Sequence, residues 1–292
     1  MINARYIFYR ILGNDLPPRH RKGQTLANLK IILDREPAFK DVEKRWIVNR
    51  IVDPQDEQKI IKLLEKYAQK YQVIPFDRKK FKKIPQECFK ERLNEMIGLN
   101  GARNLALREG KHLGRWVLVF DGSCFFIARA WQEIVQACLT SGDVKYIIVP
   151  MMRIVRGGKG VSCEPQIIFR NDSKDEFDES FGYGLDKVDL LFRLGVPGAW
   201  DEWDECARDQ KELSLKRRSK EFGVFATAGH VWRLPSGNEG AERDCRLREG
   251  YRNIGIILLM NKADNDPHRK IRTFHWAPVC SNPVNKSIIR VA

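Results

Sequence analysis

An aspartate placed directly after a buried strand is the first candidate for chemistry in this chain. Asp121 follows the apolar run Trp116–Phe120, and Gly122 comes next. In open α/β sheets ligands bind at the carboxyl ends of the strands, so this carboxylate would meet a polar ligand or a metal there. An Asp-Gly pair is also typical of an ordinary turn. Both interpretations stay open on the pattern alone.

Polar side chains also follow the three strands that the sequence predicts earlier in the chain. Aromatic and β-branched runs predict strands over residues 5–12, 45–52 and 71–75. The strand-end residues that would hold a nucleotide are Arg10, Asn14, Asp15, Asn49, Arg50, Asp53 and Asp77. Asp53 precedes Pro54 and is at least as well suited to cap a helix, because its carboxylate would accept from first-turn N–H groups.

Helical periodicity between these strands predicts a βαβαβ unit. Apolar side chains recur at helical spacing from about residue 25, and a second helix follows Asp53. Such a unit implies right-handed crossovers and a largely parallel sheet, as in the nucleotide-binding half of many α/β proteins. The first strand is not followed by G-x-G-x-x-G, and the chain has no Walker A motif. Phosphates would therefore be held by strand-end side chains.

Composition describes a globular protein that is soluble in a reducing compartment. The 292 residues are 43% hydrophobic and 31% charged, enough for one large α/β domain or two small ones. Seven cysteines are scattered without a C-x-x-C pair, which favours free thiols. No apolar run approaches the roughly 18 residues of a membrane span, and the N-terminus reads directly into a strand. We expect a cytoplasmic protein.

The net charge of +14 points to an anionic partner. Nucleic acid, anionic lipid and a phosphorylated small ligand all suit a basic protein. No nucleic-acid-binding signature accompanies the charge, so we expect no nucleic acid. Basic residues concentrate at 78–83, in a stretch that would form either a loop over a bound diphosphate or a solvated linker. Basic patches would also allow peripheral contact with an anionic membrane.

Two motifs resemble the core of glycosyltransferases with the GT-A fold, in particular the family-2-like group. In that group an Ala-Arg-Asn helix precedes a strand that ends in Asp-x-Asp. Here Ala102-Arg103-Asn104 precedes a strand that ends in Asp121-Gly122-Ser123. By this resemblance Arg103, Asn104 and Ser123 would help to shape a donor site around Asp121.

The resemblance covers roughly the first 150 residues and implies a complete architecture. The fold would be α/β, with a GT-A-like, mostly parallel sheet flanked by helices, a Rossmann-like nucleotide-binding half and a C-terminal helical extension. The catalytic domain would span 1–235, divided into a nucleotide-sugar half at 1–125 and an acceptor half at 126–235. Residues 236–292 would form the extension packed on it.

The resemblance also implies a metal. Mn²⁺ or Mg²⁺ usually bridges the diphosphate of the nucleotide-sugar donor in this group, and Asp121 would bind it. Ser123 stands where the family has a second aspartate, and a hydroxyl is a poorer ligand for these ions than a carboxylate. GT-A enzymes often add a C-terminal histidine to the site, so His230 or His275 would complete the ligand set. A lone histidine is also commonly structural.

Two carboxylates are candidates for the catalytic base that the resemblance implies. In inverting glycosyltransferases a carboxylate deprotonates the acceptor hydroxyl while the sugar carbon is attacked from the opposite face. Glu164 lies directly before an apolar strand, and Asp186 lies in a stretch similar to the family's acidic segment at the start of a helix. Lys187 departs from the family's more common pair of acids. Asp186 would equally cap the helix, so both candidates stay open.

These expectations describe a glycosyltransferase, a hexosyl- or pentosyltransferase of polysaccharide biosynthesis. It would move a sugar from a nucleotide-diphosphate sugar to a hydroxyl of a glycan or lipid-linked acceptor, with inversion. A sugar-phosphate nucleotidyltransferase would share the nucleotide-binding half. A non-catalytic nucleic-acid-binding protein would account for the charge without any active site.

Overall fold

Strands and helices alternate through most of the chain. The computed structural model describes residues 4–140, 142–154, 160–181, 183, 187–198, 218–240 and 245–265. Within these residues the elements are β1 (Ala4–Leu12), α1 (Gln24–Arg35), β2 (Val42–Asn49), α2 (Pro54–Lys66), β3 (Lys70–Ile74), α3 (Arg78–Lys83), α4 (Phe89–Met96), α5 (Leu99–Leu113), β4 (Gly114–Asp121), β5 (Cys124–Phe125), α6 (Ala128–Thr140), β6 (Tyr146–Ile154), β7 (Gly160–Arg170), α7 (Val188–Leu194), β8 (Phe225–Thr227), β9 (Val231–Arg233) and α8 (Cys245–Asp264).

All the strands in the described part of the chain belong to one nine-stranded sheet. The order is β3-β2-β1-β4-β7-β6-β9-β5, with β8 also beside β6. Strands β3, β2, β1 and β4 run parallel, whereas β7 runs antiparallel between β4 and β6. The predicted α/β class, with a mostly parallel sheet flanked by helices and a Rossmann-like first half, is confirmed.

The two faces of the sheet are buried by different helices. On one face Ala106 and Leu107 of α5 pack with Val117 of β4. On the other face Trp131 of α6 packs with Phe120. Because helices cover both faces, all five residues Trp116–Phe120 of β4 can be apolar, and the polar Asp121 follows them at the sheet edge.

The basic stretch predicted as a loop or linker is instead helical. Asp77 caps α3 by accepting from the backbone N–H of Lys80 at 2.9 Å. Phe81 is fully buried, and Arg92 of α4 forms an ion pair with Asp264 at 2.6 Å. Between their charged residues, α3 and α4 carry a small apolar face, which packs against the C-terminal helix.

The region predicted as a C-terminal extension contains helical backbone at residues 239–240 and the helix α8 over Cys245–Asp264. Before it, Gly229 adopts a positive φ of 60° between the short strands β8 and β9. No helix in the described residues is long and apolar enough to cross a membrane. The domain boundaries at 125 and 235 stay predictions.

Candidate functional site

A cavity of about 260 Å³ lies at the carboxyl ends of β1, β2 and β4. Its wall includes the loop after β1, Asn49 at the end of β2, and the segment Asp121–Ser123 after β4. Glu164 of β7 and side chains of α8 line the same space. This is the sheet edge at which open α/β sheets bind ligands.

Asp121 is held by three side chains from three different elements. Arg103 Nη2 of α5 donates to Oδ1 at 2.8 Å, and Lys187 Nζ, directly before α7, donates to Oδ2 at 3.1 Å. Gln166 of β7 donates its Nε2 to Oδ2 at 3.2 Å and accepts from the Asp121 backbone N–H at 3.2 Å. Both carboxylate oxygens are therefore engaged by nitrogen donors.

The ion pairs around Asp121 are buried. The Asp121 side chain is 19% exposed, against 1% for Arg103 and 3% for Lys187. Burial alone would raise the pKa of the Asp121 carboxyl, but Lys187, Arg103 and Arg233 outweigh it and hold that pKa well below its usual range. Asp121 is therefore negatively charged, and both Arg103 and Lys187 offset its charge.

Helix α5 can place Arg103 beside Asp121 because it lies close to the sheet. A Cβ on Gly110 would lie 2.5 Å from Val117 Cγ1, so a larger residue at this point would push α5 away from β4. Arg103 is further oriented by Asn100, whose Oδ1 accepts from Nη1 at 2.9 Å.

Cationic side chains outnumber carboxylates around the cavity. Counting only the residues that the structure describes, the lining has seven cations and three carboxylates: Arg19, Arg103, Arg153, Lys187, Arg233, Arg248 and Arg252 against Asp15, Asp121 and Glu164. Gathering like charges in a partly buried space costs free energy unless an anion offsets it. The lining therefore matches an anionic ligand.

Burial and the neighbouring positive charges lower the pKa values of two cavity residues. Burial, reinforced by neighbouring arginines, lowers the pKa of Arg19 to about 10. Burial and those arginines also hold the pKa of His20 well below its usual range, so His20 is neutral at pH 7. Its Nδ1 accepts from the Leu16 N–H at 3.1 Å, which leaves Nε2 as the protonated nitrogen.

Tyr183 connects the loop after β1 with the C-terminal helix. Its hydroxyl accepts from Arg19 Nη1 at 2.9 Å, and the guanidinium carbons of Arg19 and Arg252 each lie 5.7 Å from its ring centroid. Helix α8 reaches this position because Gly255 lies against the backbone of Leu16, where a Cβ would be 2.7 Å from the carbonyl oxygen. The C-terminal helix is thus part of the cavity wall.

Two predicted strand-end amides line the cavity. Asn14 donates to the Arg50 carbonyl oxygen and accepts from the Val52 N–H, both at 2.8 Å, and so joins the loops after β1 and β2. Asn49 donates to the Ile97 carbonyl oxygen at 2.6 Å. Its buried Oδ1 has no hydrogen-bond partner among the described residues, which makes it an acceptor site for a ligand.

Of the other residues predicted for the donor site, Arg10, Asp53 and Asn104 do not line the cavity, and neither do Arg50 and Asp77. Arg10 is buried, donates from Nε to the Cys124 carbonyl oxygen at 3.1 Å and pairs with Glu36. Asp53 caps α2, as the alternative interpretation expected, by accepting from the Gln55 N–H at 2.9 Å. These contacts support structural roles for Arg10 and Asp53, and contact with a donor stays a prediction.

Asn104, the third of these residues, fastens a loop to α5. Its Nδ2 donates to the Phe177 carbonyl oxygen at 2.8 Å, and its Oδ1 accepts from the Phe177 N–H at 3.0 Å. Nδ2 also donates to Glu179 at 2.9 Å. Asn104 therefore supports the chain that leads towards Lys187, and a direct donor contact stays a prediction.

The residues around Asp121 do not fit a divalent metal. His230 packs edge-on against Trp232, with ring centroids 5.6 Å apart, and does not line the cavity. His275 lies outside the described residues. Within those residues no group of three or more His, Cys, Asp or Glu side chains could hold a metal ion. The Mn²⁺ or Mg²⁺ expected from the resemblance stays a prediction.

Of the three remaining predicted residues, two line the cavity and one lies outside the described residues. Glu164 is half-buried and lines the cavity, as does Ser123, whereas Asp186 lies outside the described residues. Sequence reasoning missed the cationic wall, which is the set of arginine and lysine side chains that line the cavity. It also missed the ion pair between Lys187 and Asp121. The departure of Lys187 from a paired-acid pattern was the one signal for it.

Comparisons with known proteins do not assign the chain to a family. No family model matches, and no curated protein matches. Among solved structures, 48 chains match. One is 4-diphosphocytidyl-2C-methyl-D-erythritol synthase, at 14% identity and a TM-score of 0.32, over 78% of this chain and 90% of that chain.

A second solved structure is described as mannose-1-phosphate geranyltransferase from Thermus thermophilus. It is 11% identical, with a TM-score of 0.31, over 79% of this chain and 75% of that chain. TM-scores this low assign neither family nor function. The chain is therefore defined by its own topology and site, as an α/β protein with a Rossmann-like half and a cationic cavity at its strand ends.

Proposed function

We propose that the protein is a GT-A-like glycosyltransferase that uses a nucleotide-diphosphate sugar. It moves the sugar to a hydroxyl of a glycan or lipid-linked acceptor, with inversion. The observation that carries the proposal is the cationic cavity at the carboxyl ends of parallel strands. Guanidinium groups bind phosphate oxygens in bidentate geometry, so this wall suits a diphosphate.

The acceptor half contributes a carboxylate to the same space. Glu164 stands on the antiparallel strand β7, next to the strand that carries Asp121. In the proposed reaction the acceptor oxygen forms a bond to the anomeric carbon, and the bond from that carbon to the diphosphate oxygen breaks. The electron pair of the broken bond goes to the nucleoside diphosphate, and the hydroxyl proton goes to Glu164. Asp186 is the other candidate base.

A sugar-phosphate nucleotidyltransferase is the second candidate function. The observation in its favour is the excess of cations over carboxylates in the described part of the lining, seven against three, since a nucleoside triphosphate carries more charge than a diphosphate sugar. This enzyme would release pyrophosphate, whereas the glycosyltransferase releases a nucleoside diphosphate. The two products therefore distinguish the candidates.

A product-release assay tests both functions. The protein is incubated with a panel of nucleotide sugars and acceptors, with and without Mn²⁺, and separately with nucleoside triphosphates plus sugar phosphates. Release of a nucleoside diphosphate supports the proposal, and release of pyrophosphate supports the second candidate. If neither product forms while an oligonucleotide binds with a steep salt dependence, the enzyme interpretation is wrong.

The location of the reaction is also part of the proposal. We propose a cytoplasmic protein that meets its acceptor in solution or at an anionic membrane surface. Sedimentation with vesicles of neutral lipid, with and without phosphatidylserine, measures this contact. Binding that requires the anionic lipid and weakens with salt supports it.

A further inference from the structure

We propose that fixed cationic side chains, and not a divalent metal, hold the diphosphate in this cavity, with Lys187 beside Asp121 in the place of the metal. The inference rests on the proposed function only for the identity of the anion as a diphosphate. It concerns how the charge of that anion is offset, which binding measurements can test without turnover.

The oxygens of Asp121 are not available to a metal. Arg103, Lys187 and Gln166 donate to them at 2.8–3.2 Å. Mn²⁺, Mg²⁺ and similar hard cations need oxygen ligands at roughly 2.0–2.6 Å. A metal at that distance would displace at least one of these donors and would lie against two buried cations. The first carboxylate of the expected motif is therefore already neutralised.

The other described positions of the expected metal site also fit a metal poorly. Ser123 supplies a hydroxyl in place of a carboxylate, although it lines the cavity. Among the described residues, the half-buried Glu164 is the one other carboxylate of the lining beyond the loop after β1. A metal site at this position would be rich in carboxylates, whereas this one is rich in guanidinium groups.

The cations surround the cavity from several elements. Arg19 comes from the loop after β1, Arg153 from β6, Arg233 from β9 and Arg252 from α8. Arg19 and Arg153 are 5% and 3% exposed, so they are held in place rather than spread in solvent. Such preorganised charges offset an anion without reorganising when it binds.

Lys187 has the position and the charge to act on the leaving group. Its ammonium group carries three N–H donors, of which the Asp121 carboxylate takes one. In the proposed transfer the electron pair of the carbon–oxygen bond passes to the diphosphate oxygen. Lys187 and the neighbouring arginines would stabilise the negative charge that develops there, while Asp121 keeps Lys187 in place. The proton of the acceptor hydroxyl goes to the carboxylate base, as in the proposed function, so the step is balanced.

Calorimetric titration with inorganic pyrophosphate tests the inference directly. The probe carries the diphosphate charge but neither base nor sugar. We expect the same affinity in EDTA as in Mn²⁺, after correction for the binding of the metal to pyrophosphate itself. Binding in Mn²⁺ alone, or no binding in either condition, would overturn the inference.

Matched variants assign the binding to Lys187. Lys187→Met should weaken pyrophosphate binding in EDTA at least about tenfold, because a charge-assisted hydrogen bond is lost. Lys30→Met, on an exposed lysine of α1, should leave it unchanged. Circular dichroism checks that both variants are folded. If Lys187→Met does not fold, Arg252→Gln should show the same loss. Unchanged binding in folded Lys187→Met would contradict the inference.

The outcomes separate this inference from the proposed function. Metal-free binding of pyrophosphate without turnover of any nucleotide sugar would keep the cationic site and reject the glycosyltransferase. Turnover and pyrophosphate binding that both require Mn²⁺ would keep the glycosyltransferase and reject the cationic site.

Discussion

The replacement of Asp121 by asparagine is the most informative perturbation of the site. Asp121→Asn keeps the size of the side chain and removes a negative charge that contacts both Arg103 and Lys187. Those cations are almost fully buried and would lose their ion pair with this carboxylate. The asparagine NH₂ group would also face an N–H donor whichever way the amide is turned, because donors lie on both sides of the carboxylate.

The expected cost follows from this geometry. Breaking a buried ion pair by removing one partner typically costs about 3–5 kcal/mol, because a buried charge is left uncompensated. Two cations lose a partner here, but the Asp121 side chain is 19% exposed, so water can replace part of the interaction. We therefore expect about 3 kcal/mol. For a chain of this size that corresponds to a fall in Tm of roughly 6–12 °C.

Urea and thermal denaturation of the variant measure this loss. The control is Asp56→Asn, the same chemical change in an exposed pair with Lys59, whose side chains are 57% (Lys59) and 38% (Asp56) exposed. Exposed pairs contribute about 0–1 kcal/mol, so the control should shift Tm by little. Equal Tm values for wild type and Asp121→Asn would refute the buried network as the reason for the position of Asp121.

Three further predictions concern the same site. Because the pKa of folded Asp121 is far below its ordinary value near 4, its stabilisation is complete above that value and is lost as pH falls below it. The difference in the free energy of unfolding between wild type and Asp121→Asn should therefore decrease by about 1 kcal/mol from pH 5 to pH 3, as measured by urea denaturation. Glu164→Gln should lower kcat at least about 100-fold with little change in donor KM, and an unchanged kcat would remove Glu164 as the base. Gly255→Ala should destabilise the protein by about 1–3 kcal/mol, because its Cβ would lie 2.7 Å from the carbonyl oxygen of Leu16. Gly250→Ala, with nothing within 4 Å on the same helix, should stabilise it by about 0.5–1 kcal/mol in the same denaturation assay.

The sheet and the place of the site could be predicted from local patterns. Strands β1 to β4 each contain aromatic and β-branched residues, and parallel strands bring their carboxyl ends to one edge. Asn14, Asn49 and Asp121, which that reasoning selected, line one cavity, as does Ser123, which the resemblance indicated; their roles stay predictions. The same reasoning failed for Arg10 because that residue lies within β1, where its side chain packs over the ring of Phe8 at 4.0 Å instead of reaching the edge.

The cationic wall could not be predicted in the same way. Its arginines come from segments far apart in sequence, such as Arg19, Arg153 and Arg252, and only the folded sheet with α8 brings them together. Each one alone is an ordinary basic residue in a basic chain. The total charge of +14 indicated an anionic partner but contained no information about where the charge would converge.

Two departures from the expected family pattern have a single physical explanation in this arrangement. Ser123 removes a carboxylate next to Asp121, and Lys187 brings a cation within 3.1 Å of it. Each change lowers the negative charge available to a divalent ion, and each raises the affinity of the same space for an anion. In a site that binds a metal through Asp121, the Lys187 ammonium group would compete with the metal for that carboxylate and repel the metal. The two changes therefore point to the same ligand, an anion. Binding of an anion also explains why the arginines of the cationic wall converge on this cavity.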